Sequence, residues 1–380
     1  MAPDLRDRGP RRQAGARARA GGVPGGSRVP RRELVNDRVE RLRAGLEEPL
    51  LVSDPANVRY LSGLASSNAA LLVEPDRLRL FTDFRYAESA RAIDGVELVE
   101  TKRDLFQTLG ELLSGRIGFE ATSLTYERHA RLHAGGVELV PRYGLVEELR
   151  VVKDEDELAA IRRAAEITDV AFERFADEGR LVGQTERELA WRMEQLLHDA
   201  DGDSISFPVV VASGPNGAKP HTVPGGRRVG RGETVIVDAG CMVDSYCSDC
   251  TRTFATGQLR DELMRAYEVC LDAQQAGLAA LRPGASGPGV DSAARDRIDA
   301  AGFGEEFGHG LGHGVGLLVH EDPRLAQESH HTLAAGNVVT VEPGIYLPGL
   351  GGIRIEDLVV VKDGEPEVLS RFTKDLLTLD

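Results

Sequence analysis

Apolar residues first recur in short β-type runs at 49–53, 69–73, 78–82, 96–100, 116–120 and 137–141. Helical spacing lies between several of them, notably over 38–46 and 86–93. Strands alternating with helices predict a small α/β domain over 33–151. The charged run Lys153-Asp154-Glu155-Asp156-Glu157 then precedes apolar Leu158, Ile161, Ala165 and Phe172. Acidic residues in a first turn suit a helix N-terminus, and the domain boundary is placed in the loop before Lys153. A second helix opens at Thr185, whose partner Glu188 completes a capping box. Leu189, Met193, Leu196 and Leu197 form its apolar face, and Trp191 is read as packing beside it. From about Ser204 the pattern changes to strands and Gly/Pro-rich loops, with one helical stretch around 261–281. The second domain is expected to span 152–380.

Two stretches of this second domain bring carboxylates together. Residues 233–240 and 246–254 read as strands joined by a short turn. In a tight antiparallel hairpin the index sum of opposite residues is constant. A turn centred on Val243–Asp244 therefore sets Asp238 opposite Asp249, with Cβ atoms about 4.5–5.5 Å apart. Like charges so placed are destabilising unless a cation lies between them; an exposed acidic pair or a slipped register are the alternatives. Val235, Ile236 and Val237 argue against exposure. The arrangement recurs at 337–342 and 352–361, where Glu342 and Glu356 are symmetric about Gly349. Arg354 projects from the same strand face as Glu356.

Between the hairpins runs Phe307-Gly-His-Gly-Leu-Gly-His-Gly-Val-Gly-Leu-Leu-Val-His-Glu321, whose glycines allow close backbone approaches. Four carboxylates and an imidazole would balance two divalent cations. Oxygen-dominated ligation with one nitrogen favours Mn²⁺, Co²⁺, Zn²⁺ or Fe²⁺ over a thiolate-bound ion. Cys247-Ser-Asp-Cys250 has redox-motif spacing, but residues three apart on a strand point to opposite faces, so packing is the better reading. His330-His331 reads as a solvated loop.

These residues resemble the pita-bread dinuclear metallopeptidases, and within them the Xaa-Pro peptidases, prolidase and aminopeptidase P. The resemblance is carried by Asp238-Ala-Gly, Asp249 with Thr251-Arg-Thr-Phe254, the Gly-His loop through His320-Glu321, Val341-Glu-Pro-Gly-Ile-Tyr346 and Ile353-Arg-Ile-Glu-Asp357. Asn57-Val-Arg-Tyr-Leu-Ser-Gly63 and Leu80-Phe-Thr-Asp-Phe-Arg-Tyr86 resemble that branch's N-terminal domain. The implied fold is a creatinase-like α/β N-terminal domain followed by an α+β pita-bread catalytic domain with a pseudo-two-fold antiparallel sheet.

The resemblance also implies roles. Asp238, Asp249, His313, Glu342 and Glu356 would ligate two divalent ions, most simply Mn²⁺, with Asp249 and Glu356 bridging. Glu342 would shuttle protons, and His221 and His320 would bind the substrate carbonyl and the tetrahedral intermediate. His309 would line the pocket, Arg324 would meet a terminal carboxylate, and Arg354 would pair with Asp238. The substrates implied are dipeptides or short proline-containing peptides, and the active form a homodimer. A methionine-type aminopeptidase or a non-catalytic peptide-binding paralogue on the same scaffold is the alternative.

Composition narrows the setting. The 380 residues carry a formal charge of −15, against non-specific binding to nucleic acid or an anionic membrane. Four cysteines are too few for a disulfide scaffold, and a cytoplasmic location is expected. Residues 1–32 hold nine arginines against Asp4 and Asp7, so the rest of the chain carries −22. This Gly/Pro-rich stretch lacks the apolar segment of a secretory signal. A disordered basic arm, a transit-like peptide and the product of a mis-set start compete for it, and disorder without a catalytic role is the favoured reading.

Overall fold

The computed structural model describes residues 32–380, and the expectation for the basic stretch lies, Arg32 apart, outside them. α1 (Arg32–Arg43) leads to β1 (Leu50–Val52), α2 (Pro55–Ser62), β2 (Ala69–Val73), β3 (Leu78–Asp83), α3 (Ala87–Arg91) and β4 (Glu97–Thr101). α4 (Leu105–Leu112), β5 (Gly115–Glu120), α5 (Tyr126–Ala134), β6 (Val137–Arg142) and α6 (Glu147–Arg150) follow. The six strands form one mixed sheet in the order β4-β3-β2-β1-β5-β6. Its period-two alternation fills two cores. Leu50, Val52, Leu71 and Leu80 pack with α1 and α2, whereas Leu51, Leu72 and Phe81 pack with α4 and α5.

α7 (Glu155–Glu178) starts at the cap Asp154 and α8 (Glu186–Asp199) at Thr185, each with a complete capping box. On α8, Leu189, Met193, Leu196 and Leu197 are buried, but Trp191 is 59 % exposed. It lies two positions from both Leu189 and Met193, which on a helix is the opposite side. The packing expected of it is therefore absent.

The remainder is built from two similar halves. The first holds β7 (Ser204–Ile205), β8 (Val210–Ser213), β9 (Thr234–Ala239), β10 (Cys241–Val243), β11 (Tyr246–Cys247) and β12 (Cys250–Ala255). Its core joins Phe172, Phe175, Leu189 and Met193 of α7 and α8 to Val211, Val235, Val237 and Phe254 of the strands. α9 (Asp261–Ala280) and α10 (Gly287–Ala300) open the second half. β13 (Gly312–Gly314), β14 (Glu321–Leu325), β15 (Val338–Val341), β16 (Gly344–Leu347), β17 (Gly351–Arg354), β18 (Asp357–Val360) and β19 (Glu367–Val368) complete it. There Leu263, Tyr267, Val290 and Ile298 of the helices pack on Val339, Val341, Ile345 and Ile353. The sequence pattern predicts one helix after Ser204, but there are two. α10 starts on Gly287-Pro-Gly289, which reads as loop, yet Ser286 caps it and Val290, Ala294 and Ile298 recur every fourth residue.

Register explains how the carboxylates meet. In the second half Gly344 faces Arg354 and Val341 faces Asp357, so Glu342 and Glu356 hold the symmetric relation about Gly349. In the first half the expected register is wrong by one turn position. The turn is Asp244–Ser245, both at positive φ, and Asp238 faces Thr251 rather than Asp249. The shift moves each partner by two residues, which preserves the face. Asp249 is thus a diagonal neighbour of Asp238 on the same side. Both ladders are also interrupted, the first at Gly240 and at Ser248–Asp249, the second at Glu342–Pro343 and at Ile355–Glu356.

The first interruption depends on a glycine. A Cβ on Gly240 would stand 2.0 Å from the Ser248 carbonyl oxygen, next to Asp249. Gly240→Ala should therefore destabilise the protein by about 1–3 kcal/mol and weaken divalent-ion binding. Thermal unfolding and ion titration check this; wild-type values in both would contradict it.

Candidate active site

Asp238 comes from β9, Asp249 from the gap between β11 and β12, and His313 from β13, whose Gly314 pairs with Val339 of β15. Glu342 follows β15 and Glu356 precedes β18. All five line one cavity of about 520 Å³, together with His221, His309, His320, Arg324, Tyr346 and Arg354. Its apolar wall includes Phe207, Val210, Pro220, Val319 and Ala326.

The acidic cluster is buried and short of positive charge. Arg354 donates from Nη2 to Asp238 Oδ2 at 2.6 Å, from Nη1 to the Tyr346 hydroxyl at 3.1 Å and from Nε to Thr251 Oγ1 at 3.1 Å. Thr251 in turn donates to Glu356 Oε2 at 2.7 Å, and Thr340 to Glu342 Oε1 at 3.2 Å. Burial raises Asp249 well above the ordinary carboxylate range, reinforced by the charges of Glu356, Asp238 and Glu342. Glu356 is raised in the same way by burial, then by Glu342 and Asp238. Burial also opposes ionisation of Glu342, but the hydrogen bond and charge of His313, with His309 and Arg354, outweigh it and hold the group at about 2.

Three observations fit divalent cations at this position. Asp249, His313 and Glu356 present ligand atoms that all lie within 4.8 Å of one another. His313 Nδ1 lies 3.1 Å from the Gly314 carbonyl, the kind of partner that orients a ligating imidazole. Its Nε2, 3.2 Å from Glu342 Oε1 and 3.7 Å from Asp249 Oδ2, is the nitrogen at which a cation would replace the proton shared with Glu342. Asp238 Oδ1 is buried without a hydrogen-bond partner among the described residues, and a cation would satisfy it. Electron-rich groups converging around an unsatisfied buried oxygen need positive charge between them.

The other expected residues ring this cluster. His221 is exposed, on the loop after a short 3₁₀ turn (Gly214–Ala218), and Arg324 is exposed on β14. The His320 ring meets that of His313 edge-on at 4.4 Å between centroids. Burial, then the charges of His313 and Arg324, push His320 below the usual imidazole value. His309 Nε2 lies 2.9 Å from the Tyr346 hydroxyl, and Arg295 donates to the His309 carbonyl at 2.7 Å. Thr340 joins the site without a sequence signal of its own. Thr251 and Tyr346 stand in stretches that carry the resemblance, though without an implied role, and strand parity points to Tyr346, two residues from Gly344, which faces Arg354. The four cysteines are free and buried, and Cys247 and Cys250 sit apart from the cavity lining. His331 is partly buried, its Nδ1 accepting from the Arg324 amide at 3.2 Å, so the solvated reading holds for His330 alone.

A cation-seeking carboxylate cluster beside a peptide-sized cavity, set between two antiparallel ladders, has the organisation of a metal-dependent hydrolase. Comparison with known proteins makes this specific. Residues 159–363 match metallopeptidase family M24, and residues 38–152 match the creatinase/prolidase N-terminal domain. The chain belongs to this metallopeptidase family. It is 38 % identical over 337 residues to an uncharacterised peptidase of Bacillus subtilis, covering 87 % of this chain and 95 % of that one. It is 32 % identical over 351 residues to an Xaa-Pro dipeptidase of Pyrococcus furiosus, covering 90 % and 100 %. Among solved structures, an Xaa-Pro dipeptidase from Bacillus anthracis superposes with a TM-score of 0.88 at 35 % identity, covering 91 % of this chain and 100 % of that one. An X-Pro aminopeptidase from Thermotoga maritima does so with 0.82 at 32 %, covering 90 % and 100 %.

Proposed function

We propose that this protein hydrolyses Xaa-Pro bonds in dipeptides and short peptides, using two divalent cations held by Asp238, Asp249, His313, Glu342 and Glu356. The observation that carries it is the convergence of those five side chains in one cavity, in a chain similar to Xaa-Pro dipeptidases over nearly its whole length. When bound, the cations polarise the scissile carbonyl and make water a nucleophile at neutral pH. Glu342, the carboxylate its surroundings keep ionised, accepts the proton of the attacking water and passes it to the proline nitrogen. Like any amide nitrogen, the proline nitrogen cannot leave as an anion, and the proton it gains is the one a tertiary amide lacks in the substrate. His221 and His320 donate to the developing oxyanion; a neutral imidazole still has one N–H to give. Phe207, Val210 and Val319 offer an apolar wall to a pyrrolidine ring. Arg324 suits the carboxylate of a substrate that ends at proline. We further propose Mn²⁺ as the working ion, a homodimer as the active form and the cytoplasm as the location, the last on sparse cysteine use.

The test is a folded, Mn²⁺-loaded sample given Ala-Pro and Ala-Pro-Ala. Hydrolysis of Ala-Pro, with Ala-Pro-Ala slower, is the expected result. Turnover of neither peptide overturns the proline-directed reading, and equal turnover of both removes Arg324 from its role.

A further inference from the structure

The segment 314–321 links His313 to His320 and is closed at its base by the pairing of Gly314 with Glu321. The side chain of Glu321 folds back over it. Its Oε1 accepts from the Leu318 amide at 2.9 Å, and a Cβ on Gly316 would stand 2.6 Å from its Oε2. Two cations from the connection between the N-terminal sheet and α7 grip the same carboxylate. Arg150 Nη2 donates to Oε1, and Lys153 Nζ donates to Oε2 at 3.4 Å. Arg150 is itself fixed from behind, since its Nη1 donates to Asn57 Oδ1 at 2.6 Å. The Asn57 amide nitrogen donates to Glu120 at 2.7 Å and to Glu147 at 2.8 Å.

All three charged side chains of this cluster are almost fully buried, with relative exposures of 5 % for Arg150, 1 % for Lys153 and 6 % for Glu321. Burying charges is costly, and apolar groups of similar volume would join two domains at least as well. What apolar contact does not supply is direction. A carboxylate held by two donors on one side, and accepting from the loop on the other, fixes the His320 backbone in place.

We infer that Glu321 and Arg150 are positioning residues for His320: the N-terminal domain, through Asn57, Arg150 and Lys153, clamps the loop that carries this imidazole against the cavity. The inference rests on the reading of His320 as a substrate contact. Displacement by about 1 Å is enough to cost large factors in rate.

The test is Glu321→Gln in the metal-loaded enzyme. Turnover number should fall about tenfold with KM changed by less than about threefold, as expected for lost positioning rather than lost binding. Two double-mutant cycles separate this from general damage. Added to His320→Ala, Glu321→Gln should cost less than about twofold more; added to His221→Ala, it should cost the full factor again. An equal cost in both backgrounds overturns the inference. Hydrogen exchange decides it without any activity: amides of 315–320 should exchange at least about tenfold faster in Glu321→Gln, with β15 and β18 unchanged. Unaltered exchange at 315–320 overturns the inference whether or not Xaa-Pro peptides are cleaved. If the wild type cleaves none of them, the proposed function falls and the exchange result still decides the clamp. Arg150→Lys, which keeps the charge but cannot reach both Asn57 and Glu321, serves the same measurements if Glu321→Gln does not fold.

Discussion

Glu342→Gln should abolish most turnover, by roughly 10³-fold, while the protein folds as before. The substitution keeps size and removes the group that takes and returns the proton. Little else depends on it for stability: one Glu342 oxygen accepts from Thr340 at 3.2 Å and faces His313, and an amide oxygen serves both contacts. Steady-state kinetics on Ala-Pro, beside thermal unfolding and ion content of the same sample, measure it. A folded, ion-loaded variant within tenfold of wild-type turnover would remove Glu342 from its role.

Stripping the divalent ions should make stability fall as pH rises from about 6.5 to 8. Asp249 and Glu356 have folded-state values raised above the ordinary carboxylate range, first by burial and then by the charges of neighbouring carboxylates. A group raised on folding contributes stability that is complete below its unfolded value and is lost as pH rises through its folded one. A tenfold change in proton affinity on folding is worth about 1.4 kcal/mol. Glu342, held at about 2, works in the opposite sense below the ordinary carboxylate range. His309 and His320, pushed below the usual imidazole value first by burial, do so only below about pH 6.5, so none of these groups touches this window. Glu157, which burial raises to about 7, adds to the same trend but lies at the domain junction, away from the cavity lining. Saturating Mn²⁺ should therefore raise the unfolding midpoint, and raise it more at pH 8 than at pH 5, because uptake displaces protons. The difference between ion-loaded and chelated samples isolates the cluster from Glu157. A midpoint that ignores pH without the ion, or an increment from Mn²⁺ equal at both pH values, would contradict it.

Short apolar runs locate all six strands of the first sheet, because the inner strands are buried and even the outer β4 and β6 keep Leu98, Val99, Val137 and Leu139 against a core. The second hairpin is legible to the residue, since Pro348-Gly349 leaves little choice of turn. The first is not, because Asp244 and Ser245 adopt a positive φ that their side chains permit without demanding. The Glu342–Glu356 relation and the shared face of Asp238 and Asp249 survive in either register. How His313 reaches them is a matter of β13 docking on β15, which no local pattern contains. The Glu321 cluster is invisible in the sequence for the same reason. Asn57, Arg150, Lys153 and Glu321 meet only when two domains have already folded. α10 and Trp191 escape the pattern differently, the one through a Gly-Pro-Gly start and the other through helical phase.

The carboxylate cluster straddles the seam between two cores, with Asp238 and Asp249 on one side and His313, Glu342 and Glu356 on the other. An ion coordinated, as proposed, by residues as far apart in sequence as Asp238 and Glu356 would close a loop of more than a hundred residues. In the unfolded chain, closing such a loop would carry a large entropic cost, and the folded chain has already met it. A cation held there would act as a removable cross-link, added to the Arg354–Asp238 and Thr251–Glu356 hydrogen bonds that already join the two halves.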